Sequence, residues 1–181
     1  MLYNKKIKLF EKLFFQINTV GILYNPKNEA SLYEMIDIKN YCVANKINVI
    51  EYILPPKEDR TKFNSALKEY TTKIRNIDLL IALSNTEITN NIDLLIDTSF
   101  TIPVLCYQKE ALHKKGFISI CPNIFYHGNI LFEYLNNVAQ KKKSDFQVSS
   151  DKFSIFLNYS MLHQLSLSYP LKYAKWIKPI K

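Results

Sequence analysis

The sequence predicts an α/β domain built on a flavodoxin-like, doubly wound parallel sheet of about five strands. Apolar, β-rich runs alternate with helix-length stretches five times along the chain. That alternation is the signature of a parallel sheet with helices on both faces. The run Val20-Gly21-Ile22-Leu23-Tyr24-Asn25-Pro26 stops at a tight turn, and a helical pattern starts shortly after it. Domains of this class build a ligand-facing crevice from such strand–turn–helix steps. Residues 77–83 are nearly all apolar, as a strand buried on both faces requires. The expected strand order is 2-1-3-4-5.

Each element follows from local pattern. Leu9, Leu13 and Phe14 recur at helical spacing, so residues 4–15 form a short amphipathic helix. Residues 18–24 are the first strand. Residues 29–45 carry the apolar stripe Leu32, Met35, Ile36, Ile38 and Val43, a second helix. Residues 47–54 are a strand stopped by Pro55-Pro56. A polar helix over 60–74, a strand over 77–83 and a helix over 87–97 come next. Residues 101–106 are the fourth strand, 108–114 a short helix, 116–121 the fifth strand, and 124–140 a long helix. A lysine-rich linker starts at Lys141, and Phe153 to Leu157 read as a further strand. Short helices at 159–166 and 171–177 are bounded by Pro170 and Pro179. The chain therefore divides into an N-terminal helix (1–16), an α/β lobe (17–143) and a C-terminal strand with short helices (144–181).

Composition narrows the function. The chain has 181 residues, of which 48% are hydrophobic and 22% charged, enough for a core and too apolar for wholesale disorder. The formal charge of +8 is almost all lysine, since Arg60 and Arg75 are the only arginines. Lys5, Lys6, Lys8 and Lys12, the run Lys141 to Lys143, and the C-terminal lysines read as solvated helix faces and ends. Nucleic-acid surfaces favour arginine, and no such motif is present, so no nucleic-acid partner is expected. Cys42, Cys106 and Cys121 are odd in number and lack CxxC spacing, so neither a disulfide framework nor a zinc site is expected. No His, Asp or Glu set implies another metal, and no glycine-rich loop implies a nucleotide cofactor. The first residues lack the unbroken apolar core of a signal peptide, and no run reaches transmembrane length. As written, the chain is expected in the cytoplasm.

Residues from about 9 to 170 resemble the carboxyl half of ABC-transporter solute-binding proteins of the tryptophan–tyrosine uptake type. The family's V-G-V-L-Y-N-P strand, followed by a loop with E and S, is matched by Val20 to Pro26 with Glu29 and Ser31. Ile81-Ala82-Leu83-Ser84-Asn85-Thr86 is similar to its next crevice loop, and Ile102-Pro103-Val104 to its I-P-V strand. Gly116 to Ser119 and Pro122 to Gly128 resemble its G-A-L-A strand and P-D-Y-Y-x-x-G helix start. Phe153, Asn158, Leu165, Leu167 and Pro170 follow its closing pattern, and Gly21, Gly116 and Gly128 fall on family glycines. The resemblance implies one lobe of a type I periplasmic-binding-protein-like fold. It also implies a periplasmic or surface-anchored family, a small-molecule solute such as an amino acid, and an ABC permease as partner. The resemblance covers the family's carboxyl lobe, so the chain is expected to lack the amino-terminal lobe. After the I-P-V strand the family's small polar residues give way to Cys106-Tyr107-Gln108, whose bulk is expected to fill part of the crevice.

Four loops reach the carboxyl edge of the predicted sheet. They nominate Asn25, Asn28, Ser31, Ser84, Asn85, Thr86, Tyr107, Gln108, Asn123 and Tyr126 as ligand-binding residues, offering amides, hydroxyls and aromatic rings to a small polar solute. Asn28, Ser31, Asn85, Thr86 and Asn123 are also what helix caps require, and both roles stay open here. Cys106 with His113 suggests a thiol and base, but no orienting third residue accompanies them. A small buried hydrophobe is the better reading of Cys106. His127 suits packing or surface, and His163 has no metal partner at helical spacing. Phe14, Phe15, Tyr33, Tyr41 and Phe132 lie in apolar stripes and are expected in the core. Trp176 either anchors a partner or packs back on the domain. No catalytic residues are expected. A lone lobe touches one face of a solute, so weak binding is expected, with a second lobe chain or a homodimer as candidate partners. The alternative is a single lobe repurposed for protein interaction or regulation.

Overall fold

Helix α1 (Leu2–Leu13) presents Lys6, Ile7, Phe10 and Leu13 inward at helical spacing, and strand β1 (Thr19–Tyr24) follows it, buried at its last five positions. These come from a computed structural model that describes residues 2–55, 59–96, 101–122 and 153–180, with 129, 132, 135–137, 139 and 140. Helix α2 (Glu29–Ala44) is followed by β2 (Asn48–Ile53), α3 (Arg60–Lys73), β3 (Leu79–Ala82) and α4 (Thr86–Asn91). Then come β4 (Val104–Cys106), β5 (Ile118–Pro122), β6 (Phe153–Asn158), α5 (Tyr159–Gln164) and β7 (Ile177–Ile180). Three 3-10 turns, Ile92–Leu94, Lys109–Lys114 and Leu171–Trp176, fill the connections.

The seven strands form one sheet in the order β2-β1-β3-β4-β5-β6-β7, flanked by helices. The first five are parallel and keep the expected 2-1-3-4-5 order. β6 then joins β5 antiparallel, and β7 joins β6 in parallel. β7 was not foreseen, because Pro179 reads as a breaker. A proline lacks the N–H a central ladder needs but is tolerated in an edge strand, and β7 ends the sheet. The stretches read as helices at 108–114 and 171–177 are 3-10 turns. The predicted 87–97 helix stops as α4 at Asn91 and continues as a 3-10 turn. The predicted helix at 124–140 falls mainly outside the described residues.

The core lies between sheet and helices. β3 is buried at all four positions, as its unbroken apolar run requires. Phe10 is fully buried, with ring centroids of Phe14, Phe15 and Phe117 at 4.9, 5.6 and 6.4 Å. α1 is thereby tied to the start of β5 by an aromatic cluster. At the other edge, Tyr24 Oη donates to Glu51 across β1–β2 at 2.7 Å. Burial and that carboxylate push the phenol up to about 12.

Two expectations about α2 and the aromatics are corrected. α2 buries Ser31, Met35, Ile38 and Cys42, leaving Ile36 and Val43 exposed and Leu32 partly covered. Apolar residues lie on two sides of this helix, and the side with the small Ser31 and Cys42 lets it sit close to the sheet. Tyr33 is 73% exposed and Phe132 66% exposed, so neither belongs to the core. Phe14, Phe15 and Tyr41 are half-buried against it.

Candidate functional site

The crevice begins where β1 ends. Asn25 is buried, its carboxamide oxygen accepting from the Lys27 N–H at 2.9 Å and its Nδ2 donating to the Pro55 carbonyl at 3.3 Å. The side chain shapes the turn that Pro26 permits. Asn28 caps α2 by accepting from the Ser31 N–H at 3.1 Å. Ser31, fully buried, donates its hydroxyl to the Ser84 carbonyl at 2.8 Å. Asn85 caps α4, accepting from the Glu87 and Ile88 N–H groups at 2.8 and 3.4 Å. Thr86 opens that helix and is exposed. Tyr107 and Gln108 follow β4 and are half-buried. Asn123, Tyr126 and His127 lie outside the described residues.

Thus eight of the ten nominated positions are described, and they flank the carboxyl ends of β1, β3 and β4. The first turns of α2 are latched to the β3–α4 loop. The latch is stronger than Ser31 alone, because Glu34 joins it. Its carboxylate accepts from the Ser84 N–H at 2.8 Å and, closely, from the Ser84 hydroxyl. Charge-assisted bonds of this kind are about twice as strong as neutral ones.

Glu34 and Lys6 are the residues the sequence reading missed. The charge pattern predicts a solvated Lys6, yet it is 1% exposed. Its Nζ lies over the Tyr107 ring, 5.3 Å from the centroid. Burial lowers its pKa, an effect opposed by Cys121 and Glu34. The available signal was register: Lys6 stands four residues before Phe10 and seven before Leu13, on the buried stripe of α1. Below Tyr107, its carbonyl accepts long contacts from the Ser119 hydroxyl and the Cys121 thiol, both at 3.5 Å.

Cys106 is buried, and burial pushes its thiol up to about 12. His113 is exposed. A thiolate is the nucleophile that cysteine chemistry needs, and this environment withholds it. Cys42 is likewise buried and raised to about 11. In the native protein a maleimide should therefore label Cys121 alone, with all three thiols reacting after denaturation. Mass spectrometry reads the stoichiometry. Labelling of Cys106 as fast as Cys121 would contradict the packing.

A cavity of about 590 Å3 opens at the opposite, amino edge of the sheet, lined in part by Phe15, Arg75, Asp78, Ile102 and Leu167. Ligands of doubly wound sheets bind outside the carboxyl ends of the strands. The helix N-termini of α2 and α4 open at that end too, after β1 and β3. The crevice, not this cavity, is the candidate site. Among the described residues no group of three or more His, Cys, Asp or Glu could hold a metal. No helix among them is long and apolar enough to cross a membrane.

This sheet order and crevice define a lobe of the periplasmic-binding-protein kind. The profile of the ABC transporter substrate binding protein family matches residues 1–175, and the chain belongs to that family. The family is one of solute-binding proteins, not of enzymes. Among solved structures, the chain is similar to the ligand-free, open form of CD0873 from Clostridium difficile, a substrate binding protein with adhesive properties. The TM-score is 0.79 at 21% identity, over 98% of this chain and 59% of that one. It is also similar to an ABC domain in complex with L-Trp from Streptococcus pneumonia (TM-score 0.69, 15% identity, 98% and 60% covered). A conserved domain protein from Vibrio cholerae matches with TM-score 0.70 at 17% identity, again over 98% and 60%. The chain thus spans about three-fifths of the length of these structures. No curated protein matches it.

Proposed function

We propose that this chain is one solute-contacting lobe of a binding protein serving an ABC-type uptake system, taking a small polar solute such as an amino acid. The observation that carries the reading is the convergence of three crevice loops, with two helix N-termini, at the carboxyl edge of a sheet whose family is substrate-binding. Asn25, Asn28, Ser31, Ser84, Asn85, Thr86, Tyr107 and Gln108 would form one wall of the site, with Asn123 and Tyr126 completing it. The neighbour bound to L-Trp supports an amino acid as the first solute to try. Family members act outside the cytoplasm, and the same location is proposed for the assembled system. A permease, and a second lobe or a second copy, are the proposed partners.

Binding proteins of this type close two lobes over a solute. One lobe buries only one face of it, so less apolar area and fewer polar contacts are gained. Calorimetric titration of the chain with L-tryptophan and other amino acids is expected to give millimolar affinity. Sub-micromolar binding by the monomeric chain would contradict the one-wall reading.

A second reading, a protein-interaction or regulatory module, is favoured by one observation. The crevice's polar groups already bond to one another through Ser31, Glu34 and Ser84, while Tyr33, Ile36 and Val43 form an exposed apolar stripe on α2. Under that reading, no amino acid perturbs the crevice and size-exclusion chromatography shows a dimer or complex.

A further inference from the structure

Helix α2 carries a second apolar stripe, directed at solvent. Tyr33 is 73% exposed, Ile36 44% and Val43 71%, on the side away from the buried Ser31, Met35, Ile38 and Cys42. The exposed Asn40 stands between Ile36 and Val43. The steps from Tyr33 to Ile36, to Asn40 and to Val43 are three, four and three residues. That is the alternating spacing of a helix seam that packs against another helix. Single exposed hydrophobics need no explanation, whereas a contiguous stripe marks an interaction surface.

We propose that this stripe is the docking surface for a second copy of this chain, with the two α2 helices side by side and parallel. The inference gives the second copy named above a place to dock, and it stands whether or not the crevice takes a solute. Asn40 points to a copy of itself. A parallel pair sets it opposite Asn40 of the second copy, where each carboxamide can donate to and accept from the other. A single Asn at such a seam position fixes register and two-stranded pairing, at a cost in stability. Against an apolar partner helix the same side chain would be buried without a bond.

The charges choose the direction. Leu32, Asp37, Lys39 and Ala44 flank the seam. An antiparallel pair with the same layers sets Asp37 against Asp37 and Lys39 against Lys39 near its centre. The parallel pair sets Leu32 beside Asp37 and Lys39 beside Ala44, with no like charges opposed there. Glu29 meets its copy only at the open end of the pair, where solvent and salt screen the charges. α2 starts at the carboxyl edge of β1, so a parallel pair points both crevices the same way. A standard interface takes about 20–30 residues a side, and these four layers supply fewer. Association is therefore weak, with a Kd of about 10–100 μM.

The test is sedimentation equilibrium of the full chain over about 5 to 500 μM, a range that brackets the expected Kd. The wild-type chain is expected to pass from monomer to dimer. Ile36→Asp adds a charge at an exposed position, so the fold is kept, and should weaken association at least tenfold. Asn40→Leu removes the polar seam group and should tighten association at least tenfold while admitting higher oligomers. Asn40→Cys in a Cys121→Ser background should cross-link two chains on mild oxidation, because parallel pairing sets position 40 against itself. A wild-type monomer throughout the range, unchanged association in Ile36→Asp, or a dimer whose Asn40→Cys form does not cross-link would overturn the inference. If the chain stays monomeric while amino acids shift the crevice signals, this inference falls and the solute-binding reading stands. If the dimer forms as expected and no amino acid perturbs the crevice, that reading falls and this inference stands.

Discussion

Phe10→Ala is expected to destabilise the protein by about 3–5 kcal/mol, the usual cost of truncating a buried aromatic. That is a large part of the 5–15 kcal/mol by which a domain is ordinarily stable. Phe10 is fully buried, and its ring meets Phe14, Phe15 and Phe117. Two of those partners are on or just after α1, so the mutation leaves a cavity that neighbouring rings cannot easily close. It also loosens the helix that carries Lys6. Urea denaturation followed by circular dichroism measures the loss. A change below about 1 kcal/mol would mean that α1 is a surface appendage and not part of the core.

Gly116→Ala is expected to cost roughly 1–3 kcal/mol by overpacking. A Cβ at this position would stand 2.6 Å from the Cys106 sulfur and 2.8 Å from the Ala111 carbonyl oxygen. The sulfur has little freedom in its buried slot, and the carbonyl belongs to the backbone of the turn before β5. That carbonyl also accepts the Gly116 N–H at 2.9 Å, so moving it breaks a bond. Because Cys106 ends β4 beside the crevice, the strain should also appear as altered Tyr107 signals. At Gly21 a Cβ would meet the Ile77 Cδ1 at 2.5 Å and the Tyr52 ring at 2.9 Å. Those are side-chain ends that can shift, so Gly21→Ala should be milder. Thermal denaturation of the two variants ranks them, and a larger loss at Gly21 would contradict this reading.

The two glycines show what was legible in the sequence. Neither has positive φ; among the described residues the left-handed positions are Lys46, Asn76, Lys115 and Ser166. Glycine is used here for close approach alone, which the resemblance placed but could not measure. Strands β1, β2, β3, β5 and β6 were readable because each is a largely apolar run closed by a nearby Asn, Pro or Ser, and β4 because its short apolar run follows Pro103. Asn28 and Asn85 were readable as helix starts because an Asn before a helical pattern is a cap signal. Asn158 behaves alike, accepting from the Met161 N–H at 3.1 Å and donating to the Leu112 carbonyl at 2.8 Å.

What was not legible has a common cause. Periodicity finds a helix's apolar side only when there is one such side. α2 has two, so Tyr33, Ile36 and Val43 were assigned to the core although they face outward. Charged residues default to solvent, so Lys6 and Glu34 escaped notice, although Lys6 is buried and Glu34 holds Ser84. Their roles depend on which loops the topology brings together, and Lys6 and Tyr107 are far apart in sequence. β7 escaped because its proline is harmful in a central strand and tolerated at an edge.

The latch between α2 and the β3–α4 loop gives the crevice its character. Ser31 and Glu34 hold Ser84 by its carbonyl, its N–H and its hydroxyl. Such a wall is preorganised, and preorganisation lowers the ordering cost of binding. The same bonds reduce the number of donors left for a solute. On the proposed solute-binding reading, affinity would then depend on groups beside the latch, chiefly Tyr107 and Gln108.

The measurement that bears most directly on this account is amide chemical-shift mapping of the chain during titration with free amino acids. The account predicts weak, saturable shifts confined to residues 25–31, 84–87 and 106–108, at the carboxyl ends of β1, β3 and β4. Shifts confined to the Arg75–Asp78 cavity at the opposite edge, or no shifts up to tens of millimolar, would contradict it.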